Sequence, residues 1–227
     1  MESEYSAPRF SNRFDTVILV RTAPDELAGE SVPEEITSRH GTAPLSVFLH
    51  GNGVAWARPE YAPAWQELAG EGGPVLQVCQ AAWRRRFGDQ QPVLFALSSL
   101  IQFWHQAAKA RQLVSLRGSC SAVENCGFVM EIETAPDGFS QRELLEMALA
   151  AASLELDLIV VFAGPGLDQI LGQSAVGWRQ LVDHELAPIY WLGDKALARE
   201  LMPGAVWLDP AARDKRYADR RVLKLRV

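Results

Sequence analysis

The stretch Val17-Ile18-Leu19-Val20-Arg21-Thr22-Ala23-Pro24-Asp25 returns later in the chain as Val129-Met130-Glu131-Ile132-Glu133-Thr134-Ala135-Pro136-Asp137, 112 residues on. Three more pairs follow in the same order. Leu45-Ser46-Val47-Phe48 is echoed by Ile159-Val160-Val161-Phe162 at 114, and each is followed by a glycine turn, Gly51-Asn52-Gly53 and Gly164-Pro165-Gly166. Pro74-Val75-Leu76-Gln77-Val78-Cys79 is echoed by Pro188-Ile189-Tyr190-Trp191-Leu192-Gly193 at 114, and Gln112–Arg117 by Arg221–Arg226 at 109. A fixed order at a nearly constant offset is the mark of an internal repeat. It divides the chain into similar domains at 14–118 and 127–227. Residues 119–126, rich in Gly, Ser and Asn around their ends, read as the linker, and residues 1–13 as a polar, disordered leader.

Short aliphatic runs alternate with helical stretches. Runs apolar on both faces suit buried parallel strands, so each domain is expected to be a three-layer α/β/α unit with a mostly parallel sheet of four or five strands. Helices are expected at Gln141–Leu154, with Ser140 as N-cap and Glu143 completing a capping box, and at about Phe95–Arg111. In such sheets, sites gather at the carboxyl ends of the strands. The two glycine turns, His50 and Cys79 all fall there.

Composition narrows the functional classes. The chain has 227 residues, 48% of them hydrophobic and 22% charged, and a net charge of -6. That balance argues against direct nucleic-acid binding, which needs a basic face. The N-terminus lacks the basic start and apolar run of a secretory signal, and Glu146, Glu155 and Asp157 interrupt the most apolar stretch. The expectation is a cytoplasmic protein with no membrane partner. Three cysteines and four scattered histidines give neither a disulfide framework nor a metal pattern, and no cofactor is expected. Most of the seven tryptophans are expected in the core.

Cys79 ends one strand and opens the helical segment Gln80–Arg86. A thiol at a helix N-terminus meets free N–H groups and the positive end of the dipole, which favour the thiolate. Arg84 and Arg85 are candidate stabilisers of that thiolate, and His50, at a neighbouring strand end, is a candidate proton carrier. Against this stands the common fate of an isolated cysteine, burial as a small apolar residue. The spacing Cys79 to Arg85 also matches a phosphatase-type anion loop, but the loop holds Trp83 and no glycine. Cys120 and Cys126, six apart, read as inert thiols.

Leu76-Gln77-Val78-Cys79 with Ala81-Ala82-Trp83-Arg84-Arg85, and the helix and strand between Leu97 and Leu116, resemble the DsrE/TusD type of the DsrE/DsrF-like sulfur relay family. Thr134-Ala135-Pro136-Asp137-Gly138, the helix Leu144–Leu154, Asp157–Phe162 and Gly166–Leu171 resemble its DsrF/TusC type. The resemblance implies DsrE/F-like, flavodoxin-like layering. It also implies a persulfide carried on Cys79, received from a sulfur donor protein and passed to a DsrC/TusE-like acceptor, in sulfur oxidation or tRNA 2-thiouridine synthesis. The second half lacks the thiol, Gly193 standing in its place. The family's oligomers imply a homo- or hetero-oligomer, with a DsrH/TusB-like subunit as a further partner. Fusion would hold the two subunit types at high effective concentration. Two readings of other classes stand beside this one: a non-catalytic assembly or regulatory module in which Cys79 is buried, and a small-molecule enzyme using His50 beside Gly51-Asn52-Gly53.

Overall fold

The computed structural model describes residues 14–26, 31–40, 44–70, 72–116, 120–122 and 127–226. The leader and Cys126 lie outside these residues. In the first half, β1 (Thr16–Val20), α1 (Val32–His40), β2 (Leu45–Leu49), α2 (Ala62–Gln66), β3 (Val75–Cys79), α3 (Gln80–Phe87), β4 (Ala96–Ser98), α4 (Leu100–Lys109) and β5 (Gln112–Ser115) follow one another, and β6 (Cys120–Ala122) closes the set. The second half runs β7 (Gly127–Ile132), α5 (Ser140–Ser153), β8 (Leu158–Ala163), α6 (Ala175–Asp183), β9 (Ile189–Leu192), β10 (Val206–Trp207), α7 (Pro210–Tyr217) and β11 (Arg220–Leu225).

The first sheet has the order β4-β3-β2-β1-β5-β6, and the second β10-β9-β8-β7-β11. Every pairing is parallel except β5 with β6. Counted within each half, the five parallel strands have the same order, 4-3-2-1-5, so the repeat read from the sequence is a repeat of topology. This order narrows the flavodoxin comparison to the layers alone, since flavodoxin-like sheets run 2-1-3-4-5. Right-handed crossovers put α1 to α3 on one face of the first sheet and α4 on the other. By the same rule α5 and α6 share one face of the second sheet, and α7 takes the opposite one.

The halves are packed together through α4 and α5. The Trp104 indole donates to the Met147 carbonyl at 2.8 Å and meets the Phe128 ring edge-on at 5.2 Å between centroids. Arg221 donates to the Ala107 carbonyl at 2.6 Å. One apolar core runs through both halves, and five of the tryptophans (Trp65, Trp83, Trp104, Trp178 and Trp191) are fully buried in it.

Three local expectations are corrected. Residues 120–122, read as linker, form the antiparallel strand β6, which hydrogen-bonds along the edge of β5. The segment Phe95–Arg111, read as one helix, contains the strand β4, and the helix starts only after Ser99. Ser99 and Gln102 form a capping box that halts helix propagation toward the strand. Ser140 is the first residue of α5 and not its cap, because Phe139 holds the capping position and Glu143 is drawn away to an arginine of the other half.

Candidate functional site

The register of the first sheet builds a row of polar residues. Val20 pairs with Leu49, Leu49 with Val78 and Val78 with Leu97. One residue further along, Arg21, His50, Cys79 and Ser98 stand side by side at the carboxyl edge. The last pair is still in register, and the ladder continues through the His50 amide, which donates to the Val20 carbonyl at 2.9 Å. Residues in one register row of a parallel sheet share a face, about 4.8 Å from strand to strand. Arg21, at the end of β1, also lies where the connections change sides, the usual place for a site in an open α/β sheet.

The second half carries no such row. Ile132 pairs with Phe162 and Phe162 with Trp191, so the next row is Glu133, Ala163 and Leu192. The residue equivalent to Cys79 is therefore Leu192, which corrects the sequence alignment to Gly193 by one position. A slip of one residue is invisible in a run of aliphatics but decided by the hydrogen-bond ladder.

Cys79 is the N-terminal boundary residue of α3, in extended conformation. The backbone N–H groups of Ala81 and Ala82 face its sulfur without closing a capping hydrogen bond, and they pull its pKa down. They do not prevail. The residue is 2% exposed, and burial, helped by the charges of Glu143 and Glu146, pushes the thiol above its ordinary value. The thiolate that the helix terminus by itself would favour is thus disfavoured, as in the alternative of a buried cysteine. Burial in the core is the main cause; the smaller electrostatic part comes from the other half, since Glu143 and Glu146 belong to α5, which reaches across the seam toward the thiol edge.

That reach is secured by ion pairs. Glu143 is wholly buried, accepts two hydrogen bonds from Arg86 and lies 3.5 Å from Arg85, while Arg85 grips Glu146. Arg86 also donates to Asn52 at 3.1 Å. Arg85 is within electrostatic reach of Cys79, but its firmest partner is the Glu146 carboxylate, which raises its pKa. Arg84 is exposed, pairs with no carboxylate among the described residues and is not among the groups that perturb the thiol. Of the two arginines read as thiolate stabilisers, only Arg85 is near.

His50 is 0% exposed, and neither ring nitrogen has a hydrogen-bond partner. Burial, with Arg21, Arg86 and Arg85 nearby, pushes its pKa well below the ordinary value. An imidazole so placed stays neutral near pH 7 and can donate one N–H. The charged form is disfavoured there. Arg21, half-buried, has its pKa lowered to about 10, chiefly by burial, and its Nε is without a partner. Arg21 and Asn52, with Asp137, Ser140, Glu143 and Arg226 from the second half, line a cleft at the seam. Sequence reading missed Arg21 and gave Glu143 only a capping part, although the residue after the first repeat strand, Arg21 against Glu133, already differed between the halves.

The glycine turns have a structural role. Gly51 and Gly164 adopt φ of 60° and 51°, and both turns wind into 3-10 helices, Gly51–Ala57 and Gly164–Ile170. A Cβ on Gly53 would stand 2.4 Å from the Val20 carbonyl oxygen, and one on Gly166 2.0 Å from that of Ile132. The second glycine of each turn is thus required where the backbone passes close to the central strand. Gly51-Asn52-Gly53 is accounted for without a phosphate.

A second buried carboxylate lies on the far face of the second sheet. Glu131, 1% exposed, accepts from Tyr217 at 2.7 Å and Arg213 at 2.8 Å and lies 3.4 Å from Lys224. Burial alone would raise its pKa; the hydrogen bonds and the two cations outweigh it and hold the carboxyl below its ordinary value.

Among the described residues, no group of three or more His, Cys, Asp and Glu side chains is disposed to hold a metal, and no helix is long and apolar enough to cross a membrane. In comparison with known proteins, the chain matches no family model and no curated protein.

Proposed function

We propose that this chain is a sulfur relay protein that carries a persulfide on Cys79 and passes it to a carrier protein. The observation that carries this reading is the position of the thiol: it lies at a helix N-terminus, on the carboxyl edge of a parallel sheet, in a row with His50 and Arg21, whose ring nitrogens and Nε have no partner, and Leu192 leaves the second half without it. The chemistry is thiol exchange. The Cys79 sulfur attacks the outer sulfur of a donor persulfide; the new S–S bond forms as the donor's S–S bond breaks. The donor leaves as a thiol with the proton that Cys79 gave up. An acceptor thiol then takes the outer sulfur by the same step, and no oxidant is consumed.

The covering of Cys79 sets a condition on this. A donor must reach a sulfur kept neutral and enclosed, so transfer follows a displacement of the Arg85–Glu146 and Arg86–Glu143 pairs. In this reading the partners are a donor protein and a DsrC/TusE-like acceptor, with a DsrH/TusB-like subunit completing an oligomer, in sulfur oxidation or tRNA thiolation.

The 2% exposure of Cys79 favours a second reading, a non-catalytic module of the same fold that presents a docking surface. Incubation of the native chain with a persulfide donor and intact-mass analysis separates the two. The relay reading expects a gain of one sulfur atom, lost in Cys79→Ser. No gain, together with resistance of Cys79 to iodoacetamide until unfolding, would leave the docking module.

A further inference from the structure

Orphaned donors beside the thiol are the least explained feature of the molecule. Buried polar groups nearly always find partners, and those that do not call for a reason. His50 is fully enclosed with both nitrogens unpaired, and Arg21 has a buried, unpaired Nε and no ion pair within 4 Å among the described residues. Both stand in the register row of Cys79. Glu143 is engaged with Arg86 and Arg85, and Glu146 with Arg85 and Arg142; the Asp137 carboxylate shares the cleft with Arg21 and acts on it from a distance without an ion pair, and Arg226 lines the same cleft. Glu26 is taken by Asn52 and the Ala23 amide.

We infer that Arg21 and His50 form the seat of an anionic sulfur, holding the outer sulfur of a Cys79 persulfide as its anion. This deepens the relay reading and rests on it. A hydropersulfide is a stronger acid than the thiol it grew from, so loading converts a neutral site into one carrying an anion. Loading also lengthens the side chain by one S–S bond, about 2 Å. For the empty thiol, burial first and then the charges of Glu143 and Glu146 disfavour charge on Sγ. The loaded side chain gains an outer sulfur in the row that holds the unused donors, the His50 imidazole one strand away (about 4.8 Å) and the Arg21 guanidinium on the strand beyond it. The row thus discriminates between the two states of Cys79, keeping the free thiol inert and the persulfide charged and ready to attack an acceptor.

The test uses the full chain, loaded with glutathione persulfide and checked by intact mass. The absorbance of the persulfide anion is titrated against pH, a readout that does not depend on access to the sulfur. The expected midpoint for the wild-type persulfide lies below that of free glutathione persulfide. Arg21→Met and His50→Leu, which remove the donors, are each expected to raise it by about one pH unit, the effect of losing one hydrogen bond to a charged group. A wild-type midpoint equal to or above that of glutathione persulfide overturns the inference, and so does a midpoint unmoved in both variants. The wild-type comparison decides the matter if a variant fails to fold. Failure of the wild type to load at all overturns the relay reading instead, so the two failures are told apart.

Discussion

Glu143 of the second half is buried against Arg86 of the first, and this pair crosses the seam beside the thiol edge. It holds the two halves together at that edge. Arg86 is 15% exposed in its side chain and Glu143 not at all. Breaking such a pair by removing one charge strands the other, at about 3 kcal/mol. Glu143→Gln is expected to lower stability by about that amount in urea unfolding. It should also speed native alkylation of Cys79 by iodoacetamide at least tenfold, on the order of a 1.4 kcal/mol change in opening, followed on the Cys79 peptide by mass. Unchanged labelling at lower stability would show that the pair does not cover the thiol.

Burial and the two glutamates raise the thiol pKa of Cys79 against the pull of the Ala81 and Ala82 amides. Its reactivity in the native chain should therefore rise with pH at a midpoint above that of an ordinary cysteine, about 8.5. A midpoint below that value would mean that the helix terminus dominates after all.

Glu131 gives a pH dependence of opposite sign. Its folded pKa is below the unfolded value of about 4.3, so its contribution is complete above that value and lost as pH falls through the folded pKa. Glu131→Gln should cost about 2 kcal/mol at neutral pH, a figure tempered by the exposure of Arg213 at 31%. It should also flatten the acid limb of the stability curve, measured as urea midpoints between pH 3 and 7. A parallel acid limb would remove Glu131 as its source.

The glycine turns separate strain from collision. Gly51→Ala meets a positive φ and brings a Cβ to 3.2 Å from the end of the flexible Arg21 side chain, which can shift, and is expected to cost about 1 kcal/mol. Gly53→Ala drives a methyl into the Val20 carbonyl, which cannot withdraw without breaking the central strand, and belongs with substitutions costing about 4 kcal/mol or more. Thermal unfolding of the two variants ranks them, and equal losses would refute the distinction.

Much of the fold was legible because periodicity and repetition are local. The aliphatic runs Val17–Val20 and Ile159–Phe162, the glycine turns and the 112-residue echo sufficed for two tandem α/β/α halves. What misled were signals with two local meanings. Phe95–Ser98 is apolar enough for the start of a helix, and only pairing of Ala96, Leu97 and Ser98 with β3 makes it a strand. The stretch around Cys120–Ala122 has linker composition, yet the open edge of β5 accepts it.

The site divides the same way. Cys79 could be placed at a strand end before a helix from sequence alone, because strand, thiol and helix are contiguous. Its burial and ionisation could not, since the first depends on how the core closes around it, and the charges that add to the second, Glu143 and Glu146, lie more than sixty residues away in sequence. Residue order thus determined what the halves are. Long-range packing decided what their edge can do, because burial and electrostatics depend on neighbours in space, and no local pattern records them.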